Sequence, residues 1–432
     1  MPNASTGIEG DLMTFITNGT FYHLPNSIKS KIQTIMIFAG IVGLFGYFAL
    51  TATPLFAAVA NETPKELSQA HNAFGFDVFK TLVEAEGNNN IFISPSSIAL
   101  ALSMVYNGAK GETKDAIEKT LRFKDLDISS VNQQSLGLIN LLKNHDPKVE
   151  LSIANSVWAR QGIDFRQDFL TTVRKYYNAE ISTVDFKDPG AVRTINSWVS
   201  KNTKGKIPKI VGTIPDDMVM YLINAVYFNG SWTTEFDKKL TQERLFTPAN
   251  GQPKEHPLMR QTRVLPYLET ETFQSVNLPY GQNKRLSMYV FLPKNLGAFI
   301  KGFDGKAWNE WMTKYETIEG TILLPRFKME YAKELRPVLT KLGMGIAFQD
   351  RADLTGISNK DRLKISEVAH KAYVDVNEEG TEAAAATSVG ATITAFEPRR
   401  KSFYIEVNRP FFFAIRDNQD QEILFMGGVN NP

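Results

Sequence analysis

The chain has 432 residues, of which 43% are hydrophobic and 22% charged, a composition that supplies ample material for a large globular core. The net charge of +2 gives no reason to expect a nucleic-acid or other polyanionic partner. There is no cysteine, which excludes disulfides, thiolate metal sites and cysteine nucleophiles and is compatible with an oxidising compartment.

The N-terminal 60 residues differ in composition from the rest of the chain. After Lys29 and Lys31, residues 32–60 contain no charge, and this stretch is longer than the about 20 apolar residues that cross a bilayer. It ends in small residues that resemble a signal-peptidase site, Ala58-Val59-Ala60. We therefore predict that 1–60 is an extension containing either a cleaved export signal or a retained membrane anchor. The protein would then be secreted, periplasmic or membrane-anchored.

Helical patterns dominate the first half of the chain. Apolar residues at helical spacing predict a helix in "ELSQAHNAFGFDVFKTLV", which starts at Glu66. In "IFISPSSIALALSMVYNG", Pro95 ends a short strand, and Ser96 or Ser97 can cap a helix that runs to Gly108. The stretch "AVRTINSWVSKNTKGKI" predicts a further amphipathic helix.

Strand patterns dominate the second half. The runs "MVMYLINAVYFNGSW" and "RLSMYVFLPK" are apolar on both faces, which is typical of central strands in a covered sheet. "TILLPRFKMEY" predicts another strand, and "AKELRPVLTKLGM" a helix that ends at Gly343. Two apolar runs around the polar turn 417–421 predict a C-terminal hairpin. Since no repeat or internal linker interrupts the pattern, we predict one mixed α+β domain over 61–432.

A long segment of small residues separates two predicted strands near the C-terminus. It reads "VDVNEEGTEAAAATSVGATITAFEPRR" (374–400) and is longer than most connections in compact domains. At every second position from Thr381 to Ile393 the residues are small or apolar and uncharged. This alternation fits an exposed loop that later becomes a strand with one buried face. A short helix capped by Thr381 and a plain solvated loop are the alternatives.

Six motifs, in chain order, resemble the serpin family of serine protease inhibitors. They cover almost everything from Glu66 onward and read "NIFISPSSIALALSMVYNGAKGETKDAI", "INSWVSKNTKGKI", "LINAVYFNGSW", "LGMGIAFQDRADLTGIS", "VAHKAYVDVNEEGTEAAAAT" and "NRPFFFAIRDNQDQEILFMGGVNNP". The resemblance implies an α+β serpin fold with three β-sheets, about nine helices and an exposed reactive-centre loop over about 378–402. Residues 1–60 lie outside it, and the resemblance is to an inhibitory, prokaryotic-like member with an N-terminal export or anchor segment.

For an inhibitory serpin, the resemblance implies a suicide mechanism. A serine or cysteine protease cleaves the loop and is acylated by it, and the loop then inserts into the large sheet as an added strand and traps the protease. The expected partner is an elastase-like or broad-specificity protease, bound covalently to a monomeric inhibitor. The alternative is a non-inhibitory serpin, a carrier, chaperone or anchored binding module whose loop is only a substrate.

The resemblance also implies roles for individual residues. The hinge at the start of the loop comprises Glu378, Glu379, Gly380, Thr381, Ala383, Ala384, Ala385 and Ala386. The shutter beneath the central strands comprises Ser94, Ser97, Asn224 and His370, and the breach, where the loop enters the sheet, contains Trp232. The hinge positions that face inward carry only threonine and alanine, which favours an inhibitor.

The predicted scissile bond depends on the end from which the loop is counted. Fifteen residues from Gly380 place the bond between Thr394 and Ala395, which suits an elastase-like protease. The loop is a few residues longer than the family pattern. Counting back from its C-terminal end therefore moves the bond to Phe396 or Arg399, and an arginine would imply a trypsin-like target.

An enzyme is the other class of function to weigh. The five histidines leave a Ser-His-Asp triad open by count, but the chain lacks the G-x-S-x-G, H-E-x-x-H, Walker and G-x-G-x-x-G motifs. The helix within "VNQQSLGLINLLKNHDPK" has no basic cluster for a sulfated polysaccharide. We expect no catalytic site, metal or cofactor, no nucleic-acid partner and no heparin-type activation.

Overall fold

Between Lys65 and Asn202 the described residues are more often helical than extended, as their apolar periodicity predicts. The computed structural model describes residues 65–143, 146–381 and 401–432. The α-helices within these ranges are α1 (Lys65–Glu86), α2 (Pro95–Tyr106), α3 (Gly111–Thr120), α4 (Ile128–Lys143), α5 (Gln167–Tyr177), α6 (Ala191–Asn202), α7 (Leu296–Gly302), α8 (Gly305–Met312) and α9 (Arg336–Leu339).

Strands alternate with and then replace these helices toward the C-terminus. In the same described ranges they are β1 (Ile91–Ile93), β2 (Val149–Arg160), β3 (Glu180–Val184), β4 (Met220–Ser231), β5 (Gln242–Phe246), β6 (Lys254–Glu269), β7 (Phe273–Pro279), β8 (Leu286–Pro293), β9 (Glu316–Pro325), β10 (Phe327–Glu334), β11 (Glu367–Asn377), β12 (Gly380–Thr381), β13 (Ser402–Glu406), β14 (Phe411–Asp417) and β15 (Ile423–Val429).

The described strands form two hydrogen-bonded sheets. One has six strands in the order β10-β11-β12-β4-β2-β3, and β11 also pairs directly with β4. The other has nine strands along β1-β15-β14-β8-β7-β6-β9-β13, with β5 paired to β6. The 16-residue β6 pairs first with β5 and β9 and then, at its end, with β7. It thereby joins two groups of strands, so the three sheets implied by the resemblance are connected into two.

Helix α2 lies between the two sheets and is buried along its whole length. It packs against β15 of the nine-stranded sheet and against β4 and β2 of the six-stranded sheet. Its sequence "PSSIALALSMVY" has no charged face, as expected for a helix surrounded by protein. The start of this helix brings its serines beneath the central strands of the six-stranded sheet.

The central strands β4 and β11 run parallel for only part of their length. They pair from Tyr221 opposite Glu367 to Tyr227 opposite Tyr373. Beyond these tyrosines the strands separate, and the two-residue strand β12 lies between them. We call this opening the fork. Both strands are almost entirely buried, because the predicted apolar residues on each face are covered.

The C-terminal hairpin is confirmed, and one predicted helix is confirmed in part, because it begins later than predicted. β14 and β15 pair antiparallel around the polar turn, as predicted. In "AKELRPVLTKLGM", Ala332–Glu334 instead continue β10, since they pair with β11. Helical geometry begins at Arg336: the α-helical turn Arg336–Leu339 continues into a π-helical turn, Thr340–Met344, in which Gly343 has a non-helical φ of +110°. Cross-strand pairing here outweighs helix propensity.

The N-terminal predictions stay predictions. No helix within residues 65–143, 146–381 or 401–432 is long and apolar enough to span a bilayer. The apolar stretch 32–60 lies outside the described residues. The extension over 1–60 and the domain boundary at 61 are therefore untested.

Candidate functional site at the fork

The hinge residues Gly380 and Thr381 lie inside the six-stranded sheet. Each pairs with both neighbouring strands: Gly380 with Asn377 and Ser231, and Thr381 with Val376 and Gly230. Thr381 is fully buried, and its Oγ1 lies 3.0 Å from the hydroxyl of Tyr280. The first two residues of the predicted inserting segment are thus already part of the sheet.

Gly380 is required by the close approach of β12 to β4. Its φ of +143° lies in a region that favours glycine. A Cβ at this position would lie 2.2 Å from the carbonyl oxygen of Gly230 and 2.6 Å from Cα of Ser231. Since both contacts are to backbone, a side chain at 380 cannot fit without moving β12 or β4.

Glu378 holds the chain where it enters the fork. Its carboxylate is 2% exposed and accepts hydrogen bonds of 2.8 and 2.9 Å from Nε of Arg326, and another from the hydroxyl of Thr241. Burial on its own raises the pKa of Glu378, but the bonds from Arg326 and Thr241 outweigh it and hold the pKa below its usual range. The backbone N–H of Phe236 also donates to the carbonyl of Glu378, at 2.8 Å.

Glu379 adds a second attachment on the more exposed side. Its carboxylate pairs with Nζ of Lys238, and this hydrogen bond raises the pKa of the lysine. Its carbonyl accepts from the backbone N–H of Trp232 at 3.0 Å, and its own N–H donates to Oδ1 of Asn377 at 3.0 Å. Backbone and side-chain contacts together fix 378–381 in one conformation.

Trp232, the predicted breach residue, forms the floor of the fork. Its indole Nε1–H donates to the carbonyl of Asn377 at 2.9 Å, and its ring stacks on Tyr280 with centroids 4.4 Å apart. The Phe236 ring packs edge-on against it at 6.0 Å. Trp232 therefore contacts β11, through Asn377, and the segment that enters the fork, through the carbonyl of Glu379.

The predicted shutter residues meet below the fork. Nδ1 of His370 lies 2.6 Å from Oδ1 of Asn224, directly across the β4–β11 pairing. The Asn224 amide donates to the carbonyl of Ser97 at 3.1 Å and to its hydroxyl. Ser94 contributes its backbone N–H, 3.4 Å from Nε2 of His370. Asn155 of β2, which the sequence did not predict, accepts from Asn224 at 2.5 Å.

The environment of His370 keeps its imidazole neutral. The residue is 1% exposed, and burial lowers its pKa to about 3. With Nδ1 protonated, the ring donates to Asn224 and accepts at Nε2 from Ser94, which satisfies both nitrogens without a charge. Among the described residues, the hydrogen bond between His370 and Asn224 is the one side-chain contact that joins β4 to β11 at this row, and it carries no charge.

Other predicted residues lie outside the described ranges. They are the hinge alanines Ala383, Ala384, Ala385 and Ala386 and the candidate scissile residues Thr394, Ala395, Phe396 and Arg399. Within the described ranges, no group of three or more His, Asp or Glu side chains is placed to hold a metal. Arg326, Tyr280 and Lys238 were not predicted. The sequence offers one signal for these three residues, namely that Arg326 interrupts an apolar run.

Comparison with known proteins places this architecture in one family. The profile of the family described as Serpin (serine protease inhibitor) matches residues 69–432. An uncharacterized serpin-like protein of Methanosarcina mazei is 36% identical over 380 residues, 85% of this chain and 88% of that protein. The leukocyte elastase inhibitor of Xenopus tropicalis is 36% identical over 382 residues, 85% of this chain and all of that protein.

Solved structures agree. Tengpin, a thermophilic serpin in the native state, is 35% identical with a TM-score of 0.78, covering 85% of this chain and 95% of that one. Human thyroxine-binding globulin complexed with thyroxine is 27% identical with a TM-score of 0.79, and the match covers 86% of this chain and 99% of that one. The chain belongs to the serpin family. The predicted serpin fold is therefore confirmed.

Proposed function

We propose that the protein is an irreversible suicide inhibitor of serine proteases, with cysteine proteases as a second class of target. The observation that carries this proposal is the position of β12. Thr381 is paired on both sides between β11 and β4 and is fully buried. The residues after Thr381 could follow it into the sheet, since continued insertion requires further separation of β4 and β11, which already diverge at the fork.

Cleavage of the loop starts the proposed mechanism. The protease serine attacks a loop carbonyl within 382–400, the peptide bond breaks, and the new amine leaves with the C-terminal segment. The acyl-enzyme then remains attached to the segment that follows Thr381. As that segment inserts, one pairing between β4 and β11 is lost for each inserted residue. It is replaced by two pairings, one from the inserted strand to each of its neighbours.

The geometry and energy of insertion are adequate for trapping. About 15 residues in a strand span roughly 50 Å, comparable with the diameter of a small protease. Around ten added ladder hydrogen bonds at about 1 kcal/mol each give on the order of 10 kcal/mol. The uncleaved protein is then metastable, and its persistence depends on a kinetic barrier.

The proposed target is an elastase-like or broad-specificity protease. Support comes from two leukocyte elastase inhibitors that are 36% identical to this chain and from the small residues at the Thr394–Ala395 bond. Phe396 and Arg399 are the alternative positions, for chymotrypsin-like and trypsin-like proteases respectively.

A carrier function is the second candidate. The similarity to thyroxine-binding globulin, a protein solved with thyroxine bound, supports it. In that case the loop is cleaved as an ordinary substrate and no protease is trapped.

One experiment separates these functions. The full chain, purified in mild detergent, is incubated with elastase-like, chymotrypsin-like and trypsin-like proteases and analysed by denaturing gel and mass spectrometry. We expect a denaturant-resistant complex with the elastase-like protease and a released fragment that begins at residue 395. A fragment beginning at 397 or 400 would move the scissile bond. Loop cleavage without any complex would favour the carrier.

We also propose that the inhibitor is a monomer that acts outside the cytoplasm, exported or anchored through 1–60. The apolar stretch 32–60 and its small-residue end support this location. Mass spectrometry of the N-terminus of the protein isolated from a membrane fraction and from the medium tests it. An intact N-terminus on protein found only in the cytosol would contradict it.

A further inference from the structure

A polar cleft lies where three segments of the chain meet, and none of its lining residues belongs to the fork or to the shutter. The segments are 107–110 between α2 and α3, 166–172 at the start of α5, and 355–359. The cleft has a volume of about 440 Å³, which falls within the range of about 300–1,000 Å³ typical of small-molecule sites. We call it the α5 cleft.

Main-chain contacts hold the walls of the α5 cleft in place. The backbone N–H of Arg166 donates to the carbonyl of Ile357, and that of Gly356 donates to the carbonyl of Gly108, both at 2.9 Å. The two glycines are in close contact, because a Cβ at 356 would lie 2.7 Å from the carbonyl oxygen of Gly108. The cleft is therefore formed by packed backbone, and a ligand does not have to order it on binding.

One positive charge in the α5 cleft has no partner among the described residues. Arg166 is bonded to Asp168, from Nε at 3.1 Å and from a terminal nitrogen at 2.8 Å. Asp168 is the one carboxylate lining the cleft in the described part of the chain, and Arg166 balances its charge. Lys110 is exposed, and its ammonium forms no hydrogen bond or ion pair with another described residue. The cleft therefore carries a net positive charge, centred on Lys110.

Helix stability does not explain why cations occupy these positions. Lys110 and Arg166 directly precede α3 and α5, and neither side chain caps its helix. The partial positive charge at the start of a helix disfavours a cation there, and short polar residues such as serine or aspartate are preferred. Positions that break a local rule are often functional. An anion in the cleft would compensate both charges, which gives a reason for their presence.

Neutral polar groups also line the cleft. The side chains of Thr172 and Asn359 form no hydrogen bond with another described residue. The Thr355 hydroxyl donates to Oδ1 of Asp353 at 2.7 Å, so its oxygen can still accept a hydrogen bond. Hydroxyl and amide groups of this kind can bond to the hydroxyls of a sugar. The lining thus combines a cationic site with groups that recognise hydroxyls.

We propose that the α5 cleft binds a small polyhydroxylated anion of the sugar-phosphate class. The phosphate pairs with the Lys110 ammonium and with N–H groups of Arg166 that Asp168 leaves unbonded, since a guanidinium has five N–H donors. The sugar hydroxyls bond to Thr172 and Asn359. This proposal goes beyond protease inhibition and does not depend on it, because no residue of the hinge or the shutter takes part.

The same lining argues against two simpler occupants. A hydrophobic ligand would cover the Lys110 ammonium without giving it a partner, which costs free energy. A bare phosphate could reach the two cations, but it would leave Thr172 and Asn359 bonded to water. A ligand with one acid group and several hydroxyls satisfies both parts of the cleft.

Isothermal titration calorimetry of the full chain in mild detergent tests the proposal, with glucose 6-phosphate, inorganic phosphate and glucose as probes. We expect glucose 6-phosphate to bind one site per chain about tenfold more tightly than inorganic phosphate, because the sugar adds two or three hydrogen bonds. Lys110→Met should raise its Kd about tenfold. Asn359→Ala should weaken glucose 6-phosphate and leave inorganic phosphate unchanged. Lys360→Met is the matched control, since Lys360 is exposed, pairs with Asp164 and does not line the cleft.

Each outcome decides the proposal without a protease. Absence of saturable binding of both phosphate-containing probes overturns it, and so does an unchanged Kd in Lys110→Met. Equal losses in Lys110→Met and Lys360→Met overturn it as well, because the effect then reflects the overall charge of the surface. Equal affinities for glucose 6-phosphate and inorganic phosphate overturn the sugar-phosphate class. The expected pattern supports the site even if the chain fails to trap a protease.

Discussion

The hydroxyls of Thr381 and Tyr280 lie 3.0 Å apart in a contact from which water is excluded on all sides. Burial raises the pKa of Tyr280 far above its usual value, so the phenol stays protonated and can donate to the threonine. The first inward residue of the hinge therefore occupies a small polar site that accepts a hydroxyl and leaves no room for a long side chain.

Thr381→Arg should convert the proposed inhibitor into a substrate. A buried guanidinium without a partner opposes insertion, so the acyl-enzyme has time to hydrolyse. We expect loop cleavage at an unchanged rate, with complex formation on the gel reduced by about tenfold or more. Thr381→Ser, which keeps the hydroxyl, should behave like the wild type. Full complex formation by the arginine variant would show that residue 381 does not face inward.

Gly380→Ala should expel the hinge from the fork. The added Cβ meets the carbonyl oxygen of Gly230 at 2.2 Å, and the strained φ alone costs about 1–3 kcal/mol. We expect faster hydrogen exchange at the amides of Thr381 and Trp232, measured by NMR. Gly87→Ala is the control: its φ is also positive, at +60°, but a Cβ there meets nothing within 4 Å. Unchanged exchange in the Gly380 variant would contradict the packing described here.

Arg326→Met should destabilise the native state by about 2 kcal/mol. It leaves the Glu378 carboxylate, 2% exposed, with the Thr241 hydroxyl as its remaining side-chain partner. Removing one member of a buried pair costs about 3–5 kcal/mol, and the 43% exposure of the Arg326 side chain lowers that figure. Urea unfolding at pH 7 measures the change. Lys341→Met, which breaks an ion pair exposed on both sides, should leave the free energy of unfolding nearly unchanged.

The same pair predicts a pH dependence below pH 4.5. The pKa of Glu378 is lowered from 4.5, so its contribution is present above pH 4.5 and is lost as pH falls through the lower folded-state value. The difference in stability between wild type and Arg326→Met should therefore shrink as pH falls below 4.5 and the carboxylate gains its proton. A difference that is constant over this range would show that the carboxylate does not depend on Arg326.

His370 should make the native state less stable in mild acid. Its pKa is about 3 in the folded chain and 6.5 in the reference state. Unfolding therefore takes up a proton below pH 6.5, and stability falls by up to about 1.4 kcal/mol per pH unit until about pH 3. Urea unfolding from pH 7.5 to 4 should show a slope that His370→Gln reduces. His256→Gln, at a half-buried site outside the His370 cluster, should retain it.

Much of the fold follows from local sequence. The apolar run of β4 predicted a central strand, and the polar turn after Asp417 predicted the hairpin, because both signals lie within about a dozen residues. The start of the helix predicted after Tyr331 is wrong, because pairing of Ala332–Glu334 with β11, some 35 residues away in sequence, decides the local structure there.

The contacts around the hinge could not be predicted in the same way. Arg326 is 52 residues from Glu378, and Tyr280 is 101 residues from Thr381. No periodicity links positions so far apart, and the partners become neighbours only when the sheets are assembled. The motifs predicted a hinge and a shutter and their residues, whereas the hydrogen-bond partners of these residues are seen only in the tertiary structure.

The fork also determines how the six-stranded sheet can open. Seven parallel register pairs join β11 to β4, from Glu367–Tyr221 to Tyr373–Tyr227. A strand that enters at the fork separates one pair at a time and replaces it before the next is lost. The exchange then resembles branch migration between nucleic-acid strands, in which no intermediate exposes a whole unpaired edge. If the proposed insertion occurs, we expect its slowest step at the row of His370 and Asn224, where a side-chain hydrogen bond is broken together with the backbone pairing.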